Sequence, residues 1–278
     1  MARSLPEMSG TVPDRSAWDT DALPEGEAKV TAVRQMFDAI APRYDMVNRI
    51  MTFRLDVRWR RKAVDLLALA RGATVVDLAA GTGKFTRSLV TTGARVVAVE
   101  PLPEMLAQLE AALPGVEALA GTAESIPLPD ESVEAVTAAA AFHWFDTEPA
   151  LREIHRVLRP GGALITVGNG RDLSDPLQAA VQEVVGRYLP TSDEMLGWLR
   201  IVEASPLFGR GEHFETGYEQ WFDPDGLAER MGTVSYVARL PEDERAEVLA
   251  RIRAVGEAQP QTPFPFRYRT IVRLWPRL

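Results

Sequence analysis

The run Val75-Val76-Asp77-Leu78-Ala79-Ala80-Gly81-Thr82-Gly83, followed by Val96-Val97-Ala98-Val99-Glu100, constrains this chain more than any other stretch. It reads as an apolar strand, a glycine-rich turn that opens a helix, and a second apolar strand ending in a carboxylate. That order belongs to a doubly wound α/β domain, which holds a nucleoside-bearing ligand outside the carboxyl ends of its strands. Gly81 and Gly83 let the backbone pass close to the ligand without a Cβ clash. Glu100 is placed to accept hydrogen bonds from ribose hydroxyls.

Three glycine-loop chemistries compete for the turn. A nicotinamide or flavin site needs G-x-G-x-x-G, and the run Gly81-Thr82-Gly83-Lys84-Phe85-Thr86 lacks the third glycine. A phosphate loop needs Gly-Lys-Ser/Thr after its first glycine and four intervening residues. Here Phe85 follows Gly83-Lys84, so Lys84 is a decoy. S-adenosylmethionine (SAM) carries no phosphate and requires only the close turn, an acid within the first strand end (Asp77) and a ribose acid (Glu100).

Later segments extend the pattern. Ala120-Gly121-Thr122-Ala123-Glu124 closes a third strand with small residues, and an apolar strand from Val133 runs into the aromatic loop Phe142-His143-Trp144-Phe145. A helix then leads to the turn Val157-Leu158-Arg159-Pro160-Gly161-Gly162 and the strand Ala163-Leu164-Ile165-Thr166-Val167. The ordered series over residues 70–170 resembles class I SAM-dependent methyltransferases of the methyltransferase type 11 kind. The resemblance implies a Rossmann-like seven-stranded sheet, mostly parallel with the last strand antiparallel, and helices on both faces. It also implies SAM as cofactor. Gly81, Thr82 and Gly83 then approach the methionine part and Glu100 the ribose, while Pro101 and Leu102 pack on the adenine. Thr122 and Ala123 bracket that ring, Ala139 supplies backbone, and Asp77 orients the amino group through water or the loop.

Composition adds bounds. A chain of 278 residues can bury a full core, and its net charge of −8 argues against broad nucleic-acid binding. The absence of cysteine excludes thiol catalysis, disulfides and Cys-ligated metal, and His143, His155 and His213 are too scattered for a metal cluster. No apolar run reaches the ~18 residues of a membrane span, and no signal-peptide core is present, so a cytoplasmic location is expected. The expected partner is a small molecule, without nucleic acid or stable membrane insertion; a homodimer is left open.

Four regions follow along the chain. Residues 1–27 mix proline, glycine and polar residues without periodicity, which predicts a flexible tail. Residues 28–69 are helical, with Val33, Met36, Phe37 and Ile40 on one apolar face, and form a lid. Residues 70–170 are the SAM-binding core. Residues 171–278 contain two strands, 214–222 and 266–275, separated by a helical insertion over 223–258 that starts its longest helix at Pro241-Glu242-Asp243-Glu244. The segment from Val33 to Arg61 also resembles the entry segment of ubiquinone/menaquinone-biosynthesis C-methyltransferases. This second resemblance implies that Tyr44 lies near SAM and that Phe37, Asn48 and Met51 face the substrate. Downstream it departs, because that family carries an Arg-Asn pair after the fourth strand where this chain has His143-Trp144.

Methyl transfer to oxygen or carbon benefits from a base, and His143, on the rim after the fourth strand, is the candidate. Trp144 beside it is a candidate pocket wall, and His143 can itself be read as only part of that wall. His155 reads as a packing or surface residue. The basic run Arg54, Arg58, Arg60, Arg61 and Lys62 reads as a solvated face or as a lure for an anion. Trp198, Phe208, Trp221, Phe222 and Tyr236 read as core or as a pocket under the insertion. The activity expected is methylation of a small acceptor, aromatic, quinol-like or a secondary metabolite. The same residues also fit a protein that binds SAM without transferring its methyl group.

Overall fold

The structure, a computed structural model, describes residues 69–189 and 192–278 together with Arg60, residues 63–65 and Leu67; side chains 192–196 and Ser235 are left aside. The described elements are β1 (Thr74–Leu78), α1 (Lys84–Val90), β2 (Arg95–Glu100), α2 (Pro103–Ala112), β3 (Glu117–Ala120) and β4 (Val133–Ala139). They continue with α3 (Thr147–Val157), β5 (Leu158–Arg171), α4 (Pro176–Val185), α5 (Ser192–Ala204) and β6 (Glu212–Phe222). Helices α6 (Pro224–Gly232), α7 (Ser235–Ala238) and α8 (Glu242–Glu257) precede the last strand, β7 (Phe264–Pro276). Single 3-10 turns occupy Phe142–Trp144 and Gly186–Tyr188.

All seven strands form one sheet in the order β3-β2-β1-β4-β5-β7-β6. Strands β1 to β5 pair in parallel, and β7 runs antiparallel to both β5 and β6. This is the expected architecture. The expected strands 214–222 and 266–275 extend by a few residues at their ends, and the expected long helix begins at Glu242.

Adjacent residues of β1 serve opposite faces, which is why Val75, Val76 and Leu78 are all apolar and buried. Val76 and Leu78 pack with Leu151 and Ile154 of α3, Val202 of α5 and Trp275. Val75 faces the other way, with Phe85 and Leu89 of α1 and with Ala63, Val64 and Leu67. A third apolar cluster joins Val181 and Val185 of α4, Leu227 and Met231 of α6, Val248 and Ile252 of α8, and Phe264 and Phe266 of β7. The insertion is therefore joined to α4 and β7 by a core separate from the other two clusters.

Local chemistry sets the helix starts. Asp175 accepts from the amides of Leu177 and Gln178 at 3.0 and 3.1 Å, ahead of Pro176 in the first turn of α4. Asp223 does the same for the Gly226 amide at 2.7 Å before Pro224. Glu242, Asp243 and Glu244 place negative charge at the N-terminus of α8.

The segment read as a turn before the fifth strand lies inside β5. Val133 pairs with Leu158 and Ala135 with Ala163, so residues 159–162 bulge opposite the single Glu134. Gly162 is obligatory there, because a Cβ would stand 2.9 Å from the carbonyl oxygens of Arg159 and Glu134.

Candidate active site

The parallel registers bring the ends of β1, β2, β3 and β4 to one edge of the sheet. Strand order reverses there, with β2 and β3 to one side of β1 and β4 and β5 to the other. A crevice at such a switch point is where open α/β sheets bind ligands.

Two alanines mark the edge. Ala79 follows β1 with φ 54°, and Ala140 follows β4 with φ 55°. Left-handed backbone costs an alanine about 1–2 kcal/mol, so the surroundings must impose it. They do: the Ala80 amide donates to the Val99 carbonyl at 3.2 Å, and the Ala140 amide to that of Val167 at 2.7 Å. Both strand ends are bent by ties to the neighbouring strand.

The glycine turn follows. Gly81 has φ 58° and Gly83 φ 78°. A Cβ on Gly81 would meet only the Met105 sulfur, at 3.9 Å, so its glycine is required by conformation. At Gly83 a Cβ would also press on Leu109 and Leu113 at 3.0 Å. Gly83 is the buried cap from which α1 starts.

Glu100 holds this turn from β2. One carboxylate oxygen accepts from the Gly81 amide at 2.7 Å and the other from the Leu102 amide at 3.0 Å. Burial pushes its carboxyl above the usual glutamate range, while the two amides pull the other way. A carboxylate has about four acceptor positions, so two remain for a ligand hydroxyl. Gly81, Thr82, Pro101, Thr122 and Ala139 are half-buried at or just after the strand ends of this edge, and Ala123 is buried against Ile126 and the α3 side of the core.

Asp77 works inside the sheet. It is 1 % exposed and accepts from the Thr86 hydroxyl at 2.6 Å, with the Thr137 hydroxyl at 3.3 Å. Burial is the main reason its carboxyl rises to about 7. The carboxyl thereby ties β1 to α1 and β4, a brace absent from the sequence reading. Thr137 was the available signal, a polar residue within the apolar run Ala135–Ala139 of β4.

His143 and Trp144 occupy the 3-10 turn directly after the β4 edge. The His143 ring is exposed and lies 4.7 Å from that of Trp144, centroid to centroid. Phe37, Tyr44, Asn48 and Met51 lie outside the described residues, as does the basic run apart from Arg60. His155 is a packing residue, edge-on to Phe208 at 6.1 Å. Of the aromatics weighed as pocket or core, Trp198, Phe208 and Phe222 pack in the core, Tyr236 packs against the insertion core, and Trp221 is 53 % exposed. Glu124 accepts from the Asp146 amide at 2.8 Å.

The model of a methyltransferase domain matches residues 76–166. An uncharacterized methyltransferase of Mycobacterium tuberculosis is 40% identical over 200 residues, covering 72% of this chain and 79% of that protein. The chain belongs to the class I SAM-dependent methyltransferases. A demethylmenaquinone methyltransferase of Thermus thermophilus is 36% identical to this methyltransferase over 211 residues, 73% of this chain and 92% of its own. Among solved structures, one from Anaeromyxobacter dehalogenans, provisionally designated a type II methyltransferase, superposes with a TM-score of 0.57 at 25% identity. That match covers 79% of this methyltransferase and 93% of its counterpart. Family and fold imply SAM as the methyl donor. No helix among the described residues is long and apolar enough to cross a membrane, and none of their acidic or histidine side chains cluster to hold a metal.

Proposed function

We propose that this methyltransferase binds SAM at the Gly81–Glu100 edge and methylates a small aromatic, quinol-like acceptor. The observation that carries the cofactor seat is the buried Glu100 carboxylate, joined to the Gly81 amide and retaining acceptor capacity. The fit is supported by small groups along the same edge: half-buried Gly81 and Thr82 for the methionine part, and half-buried Pro101, Thr122 and Ala139 with buried Ala123 for the nucleoside. Bound SAM supplies a methyl group already activated by its sulfonium, which leaves alignment and water exclusion to the protein. His143 takes the acceptor's proton, and Trp144 walls the site. The aromatic acceptor rests on the similarity to the demethylmenaquinone methyltransferase and on the entry segment that contains Phe37, Tyr44, Asn48 and Met51.

Calorimetry with S-adenosylhomocysteine and mass spectrometry of reactions with reduced, demethylated naphthoquinol test both halves. Binding and a methylated product are expected, with turnover reduced about 100-fold or more in His143→Ala and acceptor affinity retained. Failure to bind the homocysteine would remove the cofactor seat. Binding without product across a panel of phenols and quinols would favour a protein that holds SAM without transferring its methyl.

A further inference from the structure

Beyond the edge where β4 stops, β5, β7 and β6 continue upward together. Ala139, the last residue of β4, pairs with Val167, and β5 runs on to Arg171. Arg171 pairs with Tyr268, and Tyr268 with Tyr218. Paired residues share a sheet face, and alternate residues along a strand return to it. Arg171, Tyr268 and Tyr218 therefore stand on the same face as Ala139, higher up. Tyr218 and Tyr268 stack with centroids 5.2 Å apart and planes at 13°, a flat aromatic wall.

The insertion brings a second cation to this wall. Arg230 of α6, whose Nη1 donates to the Thr233 hydroxyl at 3.1 Å, lies close enough to act electrostatically on the phenols of Tyr268 and, with Arg171, of Tyr236 in α7. Arg171 also donates to the Tyr236 hydroxyl at 2.8 Å. Two guanidinium groups thus converge on two phenols, and neither forms an ion pair among the described residues. Asp172, next in the chain, is engaged by Arg269 and Ser174 instead. Arg171 Nη1 and Arg230 Nε are buried without an acceptor. Buried guanidinium N–H groups ordinarily find a partner, and two orphans in one place call for an anion.

We propose that Arg171 and Arg230 form the anchoring subsite for an acidic oxygen of the acceptor, a carboxylate or an ionised phenol. The stacked Tyr218 and Tyr268 lie against its ring. This deepens the proposed function, since it rests on the acceptor entering above the β4 edge, and it adds a requirement that the function alone does not carry: the acceptor is an anion.

The test titrates the full-length protein, saturated with S-adenosylhomocysteine, with 2-hydroxybenzoate, its methyl ester, and 4-nitrophenol in buffer alkaline enough to ionise it. At least one anion should bind about tenfold or more tightly than the ester, because charge-assisted bonds to guanidinium are lost with the charge. A preference confined to 2-hydroxybenzoate identifies a carboxylate site and one confined to 4-nitrophenol a phenolate site; both support the proposal. Arg171→Gln and Arg230→Gln should each lose about tenfold on the preferred anion, with unchanged affinity for the ester and for the homocysteine. Arg171→Lys should keep part of the preference. Equal binding of anions and ester by the wild type, or anion affinity intact in both Gln variants, overturns the subsite. Should a Gln variant fail to fold, the wild-type anion-to-ester ratio and Arg171→Lys decide. Wild-type protein that does not bind the homocysteine would sink the cofactor reading instead, whereas homocysteine bound without anion preference sinks only the subsite.

Discussion

Asp77 lies between two strands and a helix, where its charge has little solvation and two threonine hydroxyls for company. Its carboxyl rises from the ordinary 3.8 to about 7. Between those values the folded protein holds a proton that the unfolded chain has released. Stability therefore falls as pH rises through this window, with a slope of up to about 1.4 kcal/mol per pH unit from this group. Below the window both states are protonated, and the penalty vanishes. Asp77→Asn should flatten that part of the curve, gaining on the wild type as pH approaches neutrality; parallel urea midpoints for both proteins at every pH would show that Asp77 titrates normally. Glu100 gives a prediction in binding. Glu100→Ala removes the proposed ribose acceptor and frees the Gly81 amide, and should weaken S-adenosylhomocysteine by about 1–3 kcal/mol in calorimetry. The glycines and Glu100 were legible because each residue type has one strong reason to stand where it does. Ala79 and Ala140 were not. Nothing about alanine announces a left-handed backbone, which is imposed by amide bonds to β2 and β5, neighbours in space and distant in sequence. Ala140→Gly should relieve the strain and raise stability by about 0.5–1 kcal/mol, unless the bend is held by something other than that tie.

Among the elements, the loop after β3 is held by two side chains of α3, Glu153, which accepts from the Ile126 amide at 2.9 Å, and Arg156. Arg156 donates to the carbonyls of Ile126 and Leu128 at 2.9 and 2.8 Å and pairs with Glu153 and Asp130. The expected Thr122–Ala123 wall stands at the head of that loop. Arg156→Ala should cost about 2 kcal/mol in chemical denaturation and increase hydrogen exchange through residues 122–130. Normal exchange there would mean that the loop is held without Arg156, by Glu153 and its apolar contacts. The central strands were readable because burial on two faces demands continuous apolar sequence. The upper half of β5 was not, since Gly168-Asn169-Gly170 has the composition of a turn. It is a strand because β7 pairs with it from Gly168 to Arg171, a cross-chain ladder that local propensity cannot reveal. The arginine pair above the cleft escaped notice for the same reason. Arg171 and Arg230 are far apart in sequence, and each alone resembles a surface cation.

On the scale of the molecule, the apolar clusters divide the work. One lies on each face of the parallel part of the sheet, and a third unites the insertion with α4 and β7. A ligand at the proposed β1–β4 edge would bear on the first two through the bent strand ends, so it should stabilise the chain globally. Saturation at about 100 times Kd adds about 2.7 kcal/mol, or roughly 5–10 °C in melting temperature. A calorimetric scan with and without S-adenosylhomocysteine measures this, and a shift absent in wild type would contradict the cofactor seat. The position of β7 has a different bearing. It lies between β5 and β6 yet follows both in the chain, so β6 has no strand to join until β7 is made. During synthesis the growing polypeptide carries two long strand edges with open amides and carbonyls, awaiting one late arrival. Such edges invite pairing with other chains. Yield in a heterologous host should therefore depend on how fast translation reaches β7 and on which chaperones are present to cover the gap.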